Sequence, residues 1–476
     1  MKNVVMIAYS FPPEGNAGAY RPLRFVRQLP NRGWIPTVIS AIPSQYERYD
    51  PALLRMVPNE IEVIRIKAYD LWQAFQAWRS RRVQRHSSSA QEEHIGNPQN
   101  GQQSSFRTRL REMVHTTEAW WYHPDKAMPW IDSAVDATVR LCQRSPVDVI
   151  WATAGPVSSF LVAQRSSVGT GIPYVLDFRD PWTITCTDFE ARRPRWARRL
   201  DRRRMFSLLQ GAQSVIFRHA ADAECFWRAY PKAFEVGNVH LIPNGYDGEI
   251  EEFVAPVGEK CTILYTGTIS GAPYRYDTLL QSLSFFKQVD PARAKQLRLL
   301  FAGAGTQILQ DQAEALGISD MVEVIGPIQQ DEVARLGREA HALLVLGLIP
   351  THPGYELLVA SKLFGYFKAG RPIIGVLPPD ETKNFLKRVG VTTIADVNSV
   401  PEIIAVLCHV LDSWSRGALS SLVPDPKACK AFSAEVQTAA LVSALEGKPA
   451  HDPFIPGLVD IPPSLRAHIG KAGWLN

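Results

Sequence analysis

The sequence predicts an α/β protein with two domains, each built on a parallel sheet whose faces are covered by helices. Three observations support this expectation. At 476 residues the chain is longer than one ordinary domain, and 46% of its residues are hydrophobic, enough for two cores. Short apolar runs alternate with helical segments in both halves, a pattern that is typical of parallel sheets. Each half also contains a glycine-bearing loop next to a strand and a helix.

The first half starts with an apolar strand at residues 4–9, which leads into a loop with Gly15 and Gly18 and then into a helix at residues 19–32. Gly33 is expected to end that helix. Another helix is expected at residues 132–142. The other strands predicted for this half lie at residues 37–40, 61–66, 147–152, 173–178, 214–217 and 239–243.

Residues 79–109 contain runs of Ser, Gln and Asn and almost no aliphatic side chains, so they are expected to form a mobile insertion. A linker is predicted near residues 246–259, and a second alternating series follows it. Its predicted strands lie at residues 262–267, 297–303, 322–326, 342–346 and 373–376. A final amphipathic helix is expected at residues 432–446. These divisions predict an N-terminal domain at residues 1–245, a C-terminal domain at residues 260–430, and a C-terminal helix and tail at residues 431–476.

Composition argues against several classes of protein. No apolar run reaches the roughly 18 residues that a membrane-spanning helix needs, and the short apolar N-terminus predicts a strand rather than a signal peptide. The six cysteines are scattered without a C-x-x-C pair, which favours reduced thiols in the cytoplasm over a zinc site. The formal net charge of +5 is modest, and its distribution along the chain is more informative than its sum.

Six segments together resemble the GT-B glycosyltransferases, and among these the retaining family 4 enzymes. The segments occur in the family's order and span about residues 3–446. They are Phe11-Pro12-Pro13 with Gly15 and Gly18; His123-Pro124-Asp125 followed by Trp130; Asp177-Phe178-Arg179-Asp180-Pro181-Trp182; Ile242-Pro243-Asn244-Gly245-Tyr246-Asp247; Tyr265-Thr266-Gly267; and Ser361-Lys362-Leu363-Phe364 with Ala369-Gly370-Arg371-Pro372. The resemblance implies two Rossmann-like domains whose parallel sheets face a central cleft.

The resemblance also implies a chemistry. The N-terminal domain would hold a saccharide or lipid-linked acceptor, and the C-terminal domain would hold a nucleotide-diphosphate sugar as co-substrate, with no cofactor. The sugar would keep its anomeric configuration, and the product would be a polysaccharide or glycoconjugate. The sequence contains no convincing cluster of metal ligands, so side-chain cations and helix N-termini are expected to stabilise the departing diphosphate.

Lys362 is the first candidate for the contact with the diphosphate. It follows Ser361, which is expected to cap the N-terminus of a helix, and Leu363 belongs to the same donor-binding segment. The alternative is a solvated lysine at a helix start. Gly267 and Gly303 end two predicted strands, where glycine lets the backbone approach a ligand.

Other candidates in the C-terminal domain are tied to departures from the family pattern. Thr268 stands where the family usually has an arginine, and Arg275 is the expected substitute. Gly365 stands where a glutamate usually binds the nucleotide ribose, which leaves the identity of the donor open. Glu356 would face the sugar hydroxyls or lie on a surface loop, and both alternatives stay open. The resemblance places Asn244 at the domain hinge, near the donor.

In the N-terminal domain, Gly15 and Gly18 are expected to bring backbone N–H groups close to a phosphate or sugar at a helix N-terminus; a plain tight turn is the alternative. Asp177, Arg179 and Asp180 follow a strand at its carboxyl end. Asp180 is the candidate that would orient or deprotonate the acceptor hydroxyl. Asp177 and Arg179 are expected near the acceptor. Arg179 could also pair with either carboxylate and hold the loop, and for Asp177 this structural role is favoured over contact with the acceptor.

Eight arginines crowd the segment between Arg192 and Arg204, together with Trp196 and Leu200. A basic helix with such apolar residues is able to lie on an anionic membrane surface, and a solvated positive face is the alternative. A nucleic-acid partner is not expected, since no aromatic-interleaved motif accompanies the charge. The predicted location is therefore cytoplasmic, either free or peripheral at the inner face of a membrane.

Two other functions remain open on the same fold. A nucleotide-sugar 2-epimerase would interconvert sugars without an acceptor, and a catalytically silent partner protein would bind without turnover. The silent alternative is motivated by Gly365 and Thr268 and by the absence of a histidine after the strand at residues 147–152.

Overall fold

The computed structural model describes residues 1–46, 48–68, 122–184, 194–269, 276–349 and 354–459, together with residues 461, 465, 466 and 469. The predicted insertion at residues 79–109 and the candidate Arg275 lie outside the described residues.

The first half of the chain forms a seven-stranded sheet with the order β3-β2-β1-β4-β5-β6-β7. The strand pairs from β3 through to β6 are parallel. Its central strands β4 and β5 are buried along their whole length, which explains why they are almost continuously apolar. The strands are β1 (Lys2–Ile7), β2 (Trp34–Ala41), β3 (Glu62–Ile66), β4 (Val149–Thr153), β5 (Tyr174–Asp177), β6 (Ser214–Phe217) and β7 (Val239–Leu241).

Five described helices belong to this half: α1 (Ala17–Gln28), α2 (Ile131–Arg144), α3 (Ser158–Thr170), α4 (Arg195–Gly211) and α5 (Ala220–Ala229). Helix α1 begins two residues before the predicted start, because Asn16 caps it: the Asn16 side chain accepts a hydrogen bond from Gly18 N–H at 2.8 Å. The predicted helix at residues 19–32 is divided, since α1 ends at Gln28 and a separate 3₁₀ turn covers Pro30–Arg32.

The second half forms a six-stranded sheet with the order β10-β9-β8-β11-β12-β13. All of its neighbouring strands are parallel. This order repeats that of the first six strands of the first sheet, and it is the order of a doubly wound nucleotide-binding fold. The sequence did not predict β13. The strands are β8 (Cys261–Thr266), β9 (Leu297–Ala302), β10 (Val322–Gly326), β11 (Ala342–Leu346), β12 (Ile373–Leu377) and β13 (Ile394–Asp396).

The helices described in the second half are α6 (Tyr276–Val289), α7 (Pro291–Ala294), α8 (Gln307–Ala315), α9 (Gln330–Glu339), α10 (Lys362–Lys368), α11 (Glu381–Arg388), α12 (Val400–Ser415), α13 (Pro426–Lys430) and α14 (Ala434–Leu445). Helix α14 corresponds to the predicted final helix but is not cleanly amphipathic. It buries the polar Gln437 and Thr438 and leaves Val436 41% exposed. None of the described helices combines the length and the apolar composition needed to span a membrane.

The chain divides into two compact units. The N-terminal unit comprises Met1–Ile216, Tyr230–His240 and Val442–Pro453, and the C-terminal unit comprises Phe217–Ala229, Leu241–Leu441 and Phe454–Asn476. Each unit therefore consists of three stretches of chain, whereas the predicted domains are continuous. The stretch after residue 441 joins the N-terminal unit through polar contacts, in which Gln213 Nε2 donates to the Leu445 carbonyl at 3.1 Å and Lys2 pairs with Glu446 at 2.9 Å.

A buried ion pair links α1 to the carboxyl end of β5. Arg21 donates from Nε and Nη2 to the two carboxylate oxygens of Asp177 at 2.8 and 2.7 Å. The two side chains are only 2% and 0% exposed. A bidentate pair of this kind has high geometric specificity, so it fixes the position of α1 over the sheet edge.

Asp177→Asn should destabilise the protein by about 3–5 kcal/mol, because it removes a carboxylate from a buried arginine. Urea unfolding, followed by circular dichroism, measures the change. The matched control is Asp132→Asn, which breaks the pair with Arg165 at 2.8 Å, whose side chains are 91% and 52% exposed. The control should lose only about 0–1 kcal/mol, and equal losses in the two variants would contradict the assigned role of the buried pair.

Candidate functional site

The loops that follow β8 and β9 meet backbone to backbone. Gly267 and Gly303 have φ angles of 135° and 149°, which favour glycine. A Cβ on Gly303 would lie 2.0 Å from the Gly267 carbonyl oxygen, and Gly267 N–H donates to the Ala302 carbonyl at 2.8 Å. The two predicted donor-binding glycines are therefore in contact, and only glycine permits this approach at position 303.

Lys362, the first residue of α10, brings its ammonium group to the same point. Its Nζ lies 2.8 Å from the position that a Cβ on Gly267 would occupy, and 3.6 Å from the centre of the Tyr265 ring. The Nζ atom is buried and has no hydrogen-bond partner among the described residues. The bare backbone of Gly267 thus makes room for the lysine, and the ring of Tyr265 provides a favourable face for a cation.

Burial lowers the pKa of Lys362 from its ordinary value of 10.5 to about 7. A cation taken out of water is costly unless an anion or a hydrogen-bond acceptor compensates it.

β8 and β11 are neighbours at the position where the strand order of the sheet reverses, and ligands of open α/β sheets bind at that position, beyond the carboxyl ends of the strands. The arrangement is suited to a ligand that carries negative charge.

The neighbours of Lys362 on α10 have different environments. Ser361 immediately precedes the helix, but its backbone is already helical and its side chain makes no capping hydrogen bond, so the predicted N-cap interaction is wrong. Leu363 is 0% exposed and packs in the core, and only its backbone is left for a ligand. Gly365 is exposed, and a Cβ there would meet nothing within 4 Å. Space for the missing ribose-binding side chain is therefore present.

Thr268, Glu356 and Asn244 lie in loops of the C-terminal unit. Thr268 is exposed, and its carbonyl accepts a weak hydrogen bond from the Tyr265 hydroxyl at 3.4 Å. Glu356 is 9% exposed and accepts a hydrogen bond from Gly354 N–H at 2.9 Å, so it is not a surface carboxylate. The Asn244 carbonyl accepts from Gln437 on α14 at 2.8 Å.

Arg179 and Gly18 lie against each other in the N-terminal unit. Arg179 Nη1 is 2.5 Å from the position that a Cβ on Gly18 would occupy, and Nη2 donates to the Gly155 carbonyl at 2.7 Å. Asp180 is exposed, and its carboxylate forms no hydrogen bond or ion pair with the described residues. The Gly15 N–H already donates to the Arg48 carbonyl at 2.9 Å.

Asp177 does not pair with Arg179, one of the arrangements the sequence suggested. Both of its oxygens are occupied by Arg21, so it acts within the fold, and an acceptor contact from it stays a prediction. Arg21 and Gly155 were assigned no role from the sequence, and Tyr265 was named only as part of the Tyr265-Thr266-Gly267 segment. A tyrosine inside an apolar strand or an arginine inside a helix carries no signal of its partner, which lies far away along the chain.

No group of three or more His, Cys, Asp or Glu side chains that could hold a metal ion occurs within the part of the chain that the structure describes. The candidate site in each unit consists instead of a cation, glycine backbone and aromatic or carbonyl neighbours.

A comparison with protein-family models finds no match, and neither does a comparison with curated protein sequences. Solved structures do match. Sucrose-phosphate synthase from Thermosynechococcus elongatus aligns with a TM-score of 0.59 at 13% identity, over 94% of this chain and 98% of that one. The lipopolysaccharide outer core galactosyltransferase WaaB aligns with a TM-score of 0.53 at 12% identity, over 94% and 99%.

A third match is a glycine-to-arginine mutant of S. aureus TarM in complex with fondaparinux, α-GlcNAc-glycerol and UDP, with a TM-score of 0.55 at 9% identity over 94% of this chain and 100% of that one. The predicted fold class is confirmed. The chain has the two-unit α/β fold of the GT-B glycosyltransferases. Identities this low establish the fold alone, and the predicted cleft, family 4 membership and site residues stay predictions.

Lys362→Met should stabilise the ligand-free protein at pH 6 by on the order of 1–2 kcal/mol, because it replaces a buried ammonium with an apolar chain of similar length. The folded-state pKa of about 7 lies below the ordinary 10.5, so the unfolded chain binds more protons between these values. The stability of the wild type should therefore rise with pH across that interval, and the variant should lack this rise.

Denaturant unfolding at pH 6, 8 and 9.5 measures both effects. Lys368→Met, at the other end of the same helix, is the control and should follow the wild type. If the free energy of unfolding depends on pH in the same way in the wild type and in Lys362→Met, the buried ammonium is not destabilising.

Proposed function

We propose that this protein is a retaining, metal-independent glycosyltransferase of the family 4 type. It transfers a sugar from a nucleotide-diphosphate sugar to a hydroxyl of a saccharide or lipid-linked acceptor, in polysaccharide or glycoconjugate biosynthesis. The observation that carries the proposal is the buried, unpartnered ammonium of Lys362 at the position where the strand order of the C-terminal sheet reverses. The GT-B fold and the order of the six sequence segments support it.

Lys362 would stabilise the negative charge that develops on the diphosphate as the sugar departs. In a buried site such a charge interaction is much stronger than in water. The diphosphate in turn favours the ammonium form, so donor binding would raise the pKa of Lys362 above its ligand-free value of about 7. Gly267 and Gly303 would let the diphosphate approach the backbone, and Thr268, Ser361 and the Leu363 backbone would line the same segment.

The remaining roles are those that the resemblance implies. Asp180 would orient or deprotonate the acceptor hydroxyl, since its carboxylate is exposed and forms no hydrogen bond with the described residues. Glu356 would hold sugar hydroxyls, and Asn244 would lie near the donor. Arg275 would add a second cation.

Lys362→Ala should lower kcat/KM for the donor by about 10²–10³, the effect expected for loss of one group that stabilises charge in the transition state. The donor is first found by a thermal-shift screen of nucleotide-diphosphate sugars, because a ligand that binds the folded state raises its melting temperature. Transfer or donor hydrolysis is then measured with and without a metal chelator, and the anomeric configuration of the product is read by NMR.

Lys368→Ala is the control and should keep the wild-type rate. An unchanged rate in Lys362→Ala would rule out the assigned contact between Lys362 and the diphosphate. Loss of activity in the presence of the chelator would rule out the metal-independent mechanism. Interconversion of the donor sugar without an acceptor would identify the epimerase instead. No turnover with any donor would leave the silent partner protein.

We also propose that α4 places the protein on an anionic membrane surface, where a lipid-linked acceptor would be found. Trp196 and Leu200 are 49% and 37% exposed and lie one turn apart on the outer face of α4. Arg195, Arg199 and Arg203 are exposed on that face as well. A face with arginines around apolar residues is typical of helices that lie in the membrane interface.

The single acidic residue of α4 supports this orientation. Asp201 points inward, is 3% exposed and pairs with His123 at 2.8 Å. The outer face of the helix therefore carries positive charge that no acidic residue of the same helix offsets.

Replacing Arg195, Arg199 and Arg203 with Gln should weaken binding to anionic vesicles on the order of 100-fold, since each arginine near an anionic surface contributes about 1 kcal/mol. Flotation with vesicles that contain phosphatidylglycerol measures this, and phosphatidylcholine vesicles give the background. The matched control replaces the exposed Arg335, Arg338 and Arg416 with Gln. Equal flotation of the two triple variants would reject α4 as the contact.

A further inference from the structure

Arg179 occupies the N-terminal unit's counterpart of the Lys362 position. In the first sheet, the strand order reverses between β1 and β4, where open α/β sheets bind their ligands. The Arg179 guanidinium lies beyond the ends of these strands. It donates to the carbonyls of Ala154 and Gly155, just after β4, and it lies beside Gly18 in the first turn of α1, which follows β1.

Two glycines hold the guanidinium without covering it. A Cβ on Gly155 would lie 2.2 Å from Arg179 Nη2, and a Cβ on Gly18 would lie 2.5 Å from Nη1. Gly155 also has a φ of 87°, which favours glycine. Any larger residue at either position would have to displace the arginine, so the guanidinium is placed by backbone and not by a partner side chain.

The charge of Arg179 has no hydrogen-bonded counter-ion among the described residues. Asp177, the carboxylate at the end of β5, gives both of its oxygens to Arg21. Asp180, next in the chain, is exposed; its charge favours the protonated form of Arg179, but no hydrogen bond or ion pair joins the two side chains. The carbonyls of Ala154 and Gly155 occupy Nε and Nη2, and Nη1 is left without an acceptor in the described part of the chain.

Burial lowers the pKa of Arg179, but a guanidinium keeps its proton at any physiological pH. Arg179 is partly buried, and the carboxylates near it, Asp180 and Asp177, do not hydrogen-bond to it, so an anionic ligand that accepts from the guanidinium would be favoured.

The helix dipole at the first turn of α1 adds to the same preference, because it favours negative charge. Two N–H groups of that turn are already used, since Gly18 donates to the Asn16 side chain and Ala19 to the Asn16 carbonyl. The side-chain amide nitrogen of Asn16 adds a further donor with no described acceptor.

We propose that Arg179, with the N-terminus of α1, binds an oxyanion carried by the acceptor, a phosphate or a carboxylate group. The inference rests on the proposed function, since it specifies the class of acceptor: a negatively charged saccharide or a saccharide on a phosphate-linked carrier. Arg179 Nη1 donates to one oxygen of the group, and the side-chain amide nitrogen of Asn16 donates to another. All of these donors belong to the N-terminal unit, whereas Lys362 belongs to the C-terminal unit.

The direct test measures binding of inorganic phosphate and, separately, of glucuronate by thermal shift at constant ionic strength. Both anions should raise the melting temperature of the wild type by mass action. Arg179→Gln should lower the affinity for the more tightly bound of the two anions on the order of tenfold. A loss of this size corresponds to one charge-assisted hydrogen bond. Arg140→Gln, an exposed arginine of α2, is the control and should bind like the wild type.

Gly18→Ala is the second variant, for the case that Arg179→Gln does not fold. Alanine is favourable inside a helix, so this variant should fold well. Its Cβ should displace Arg179 Nη1 and lower the affinity for the anion to a similar extent. Unchanged binding in Gly18→Ala and Arg179→Gln would overturn the proposal.

A further arm separates this site from the donor site. Because Lys362 would itself attract phosphate, the measurement is repeated with saturating UDP, which fills the donor site: phosphate should still raise the melting temperature of the wild type, and Arg179→Gln should reduce that effect. Loss of the phosphate effect in the wild type when UDP is present would overturn the acceptor site and assign the anion to the donor site. Failure of the proposed glycosyl transfer would leave these binding results standing, so the two failures are distinguishable.

Discussion

The constraint on which the rest of the structure depends is the shared direction of the strands. Because the strands from β3 through to β6 and all strands of the second sheet are parallel, their carboxyl ends gather at one edge of each sheet, and the loops that leave the central strands diverge from one another. Both sheets have the same strand order across their first six strands. Lys362 and Arg179 lie at the corresponding position of each sheet, so the fold itself determines where an isolated positive charge is held.

The two cations are accommodated differently, and the difference follows from their chemistry. The Lys362 ammonium lies against the face of the Tyr265 ring and has no hydrogen-bond acceptor within the described chain. It avoids part of the free-energy cost of burying a charge by releasing a proton near neutral pH. The Arg179 guanidinium cannot do so, and it is held by two backbone carbonyls. In both places glycine removes the Cβ that would otherwise occupy the site. The well-packed apolar strands below supply the stability that such charges reduce.

The sequence predicts the architecture well because apolar strands buried on both faces leave an unmistakable pattern. Every predicted strand is present, and the missed β13 is only three residues long. Boundaries were less predictable: Asn16 starts α1 early through a side-chain hydrogen bond, and Ser361 does not cap α10. The site was predicted in part. Lys362 and Arg179 were named, but the Arg21–Asp177 pair and the Tyr265 ring depend on contacts between residues far apart in the chain.

The division of the chain between the units has a consequence for biosynthesis. Residues 442–453 belong to the N-terminal unit, where they contact Gln213 and Lys2 through Leu445 and Glu446. Domains made first usually fold first as they leave the ribosome, yet this unit lacks part of its own structure until residues 442–453 have been made. A nascent chain that stops before residue 442 therefore carries an incomplete N-terminal unit, although most of the C-terminal unit has already been synthesised.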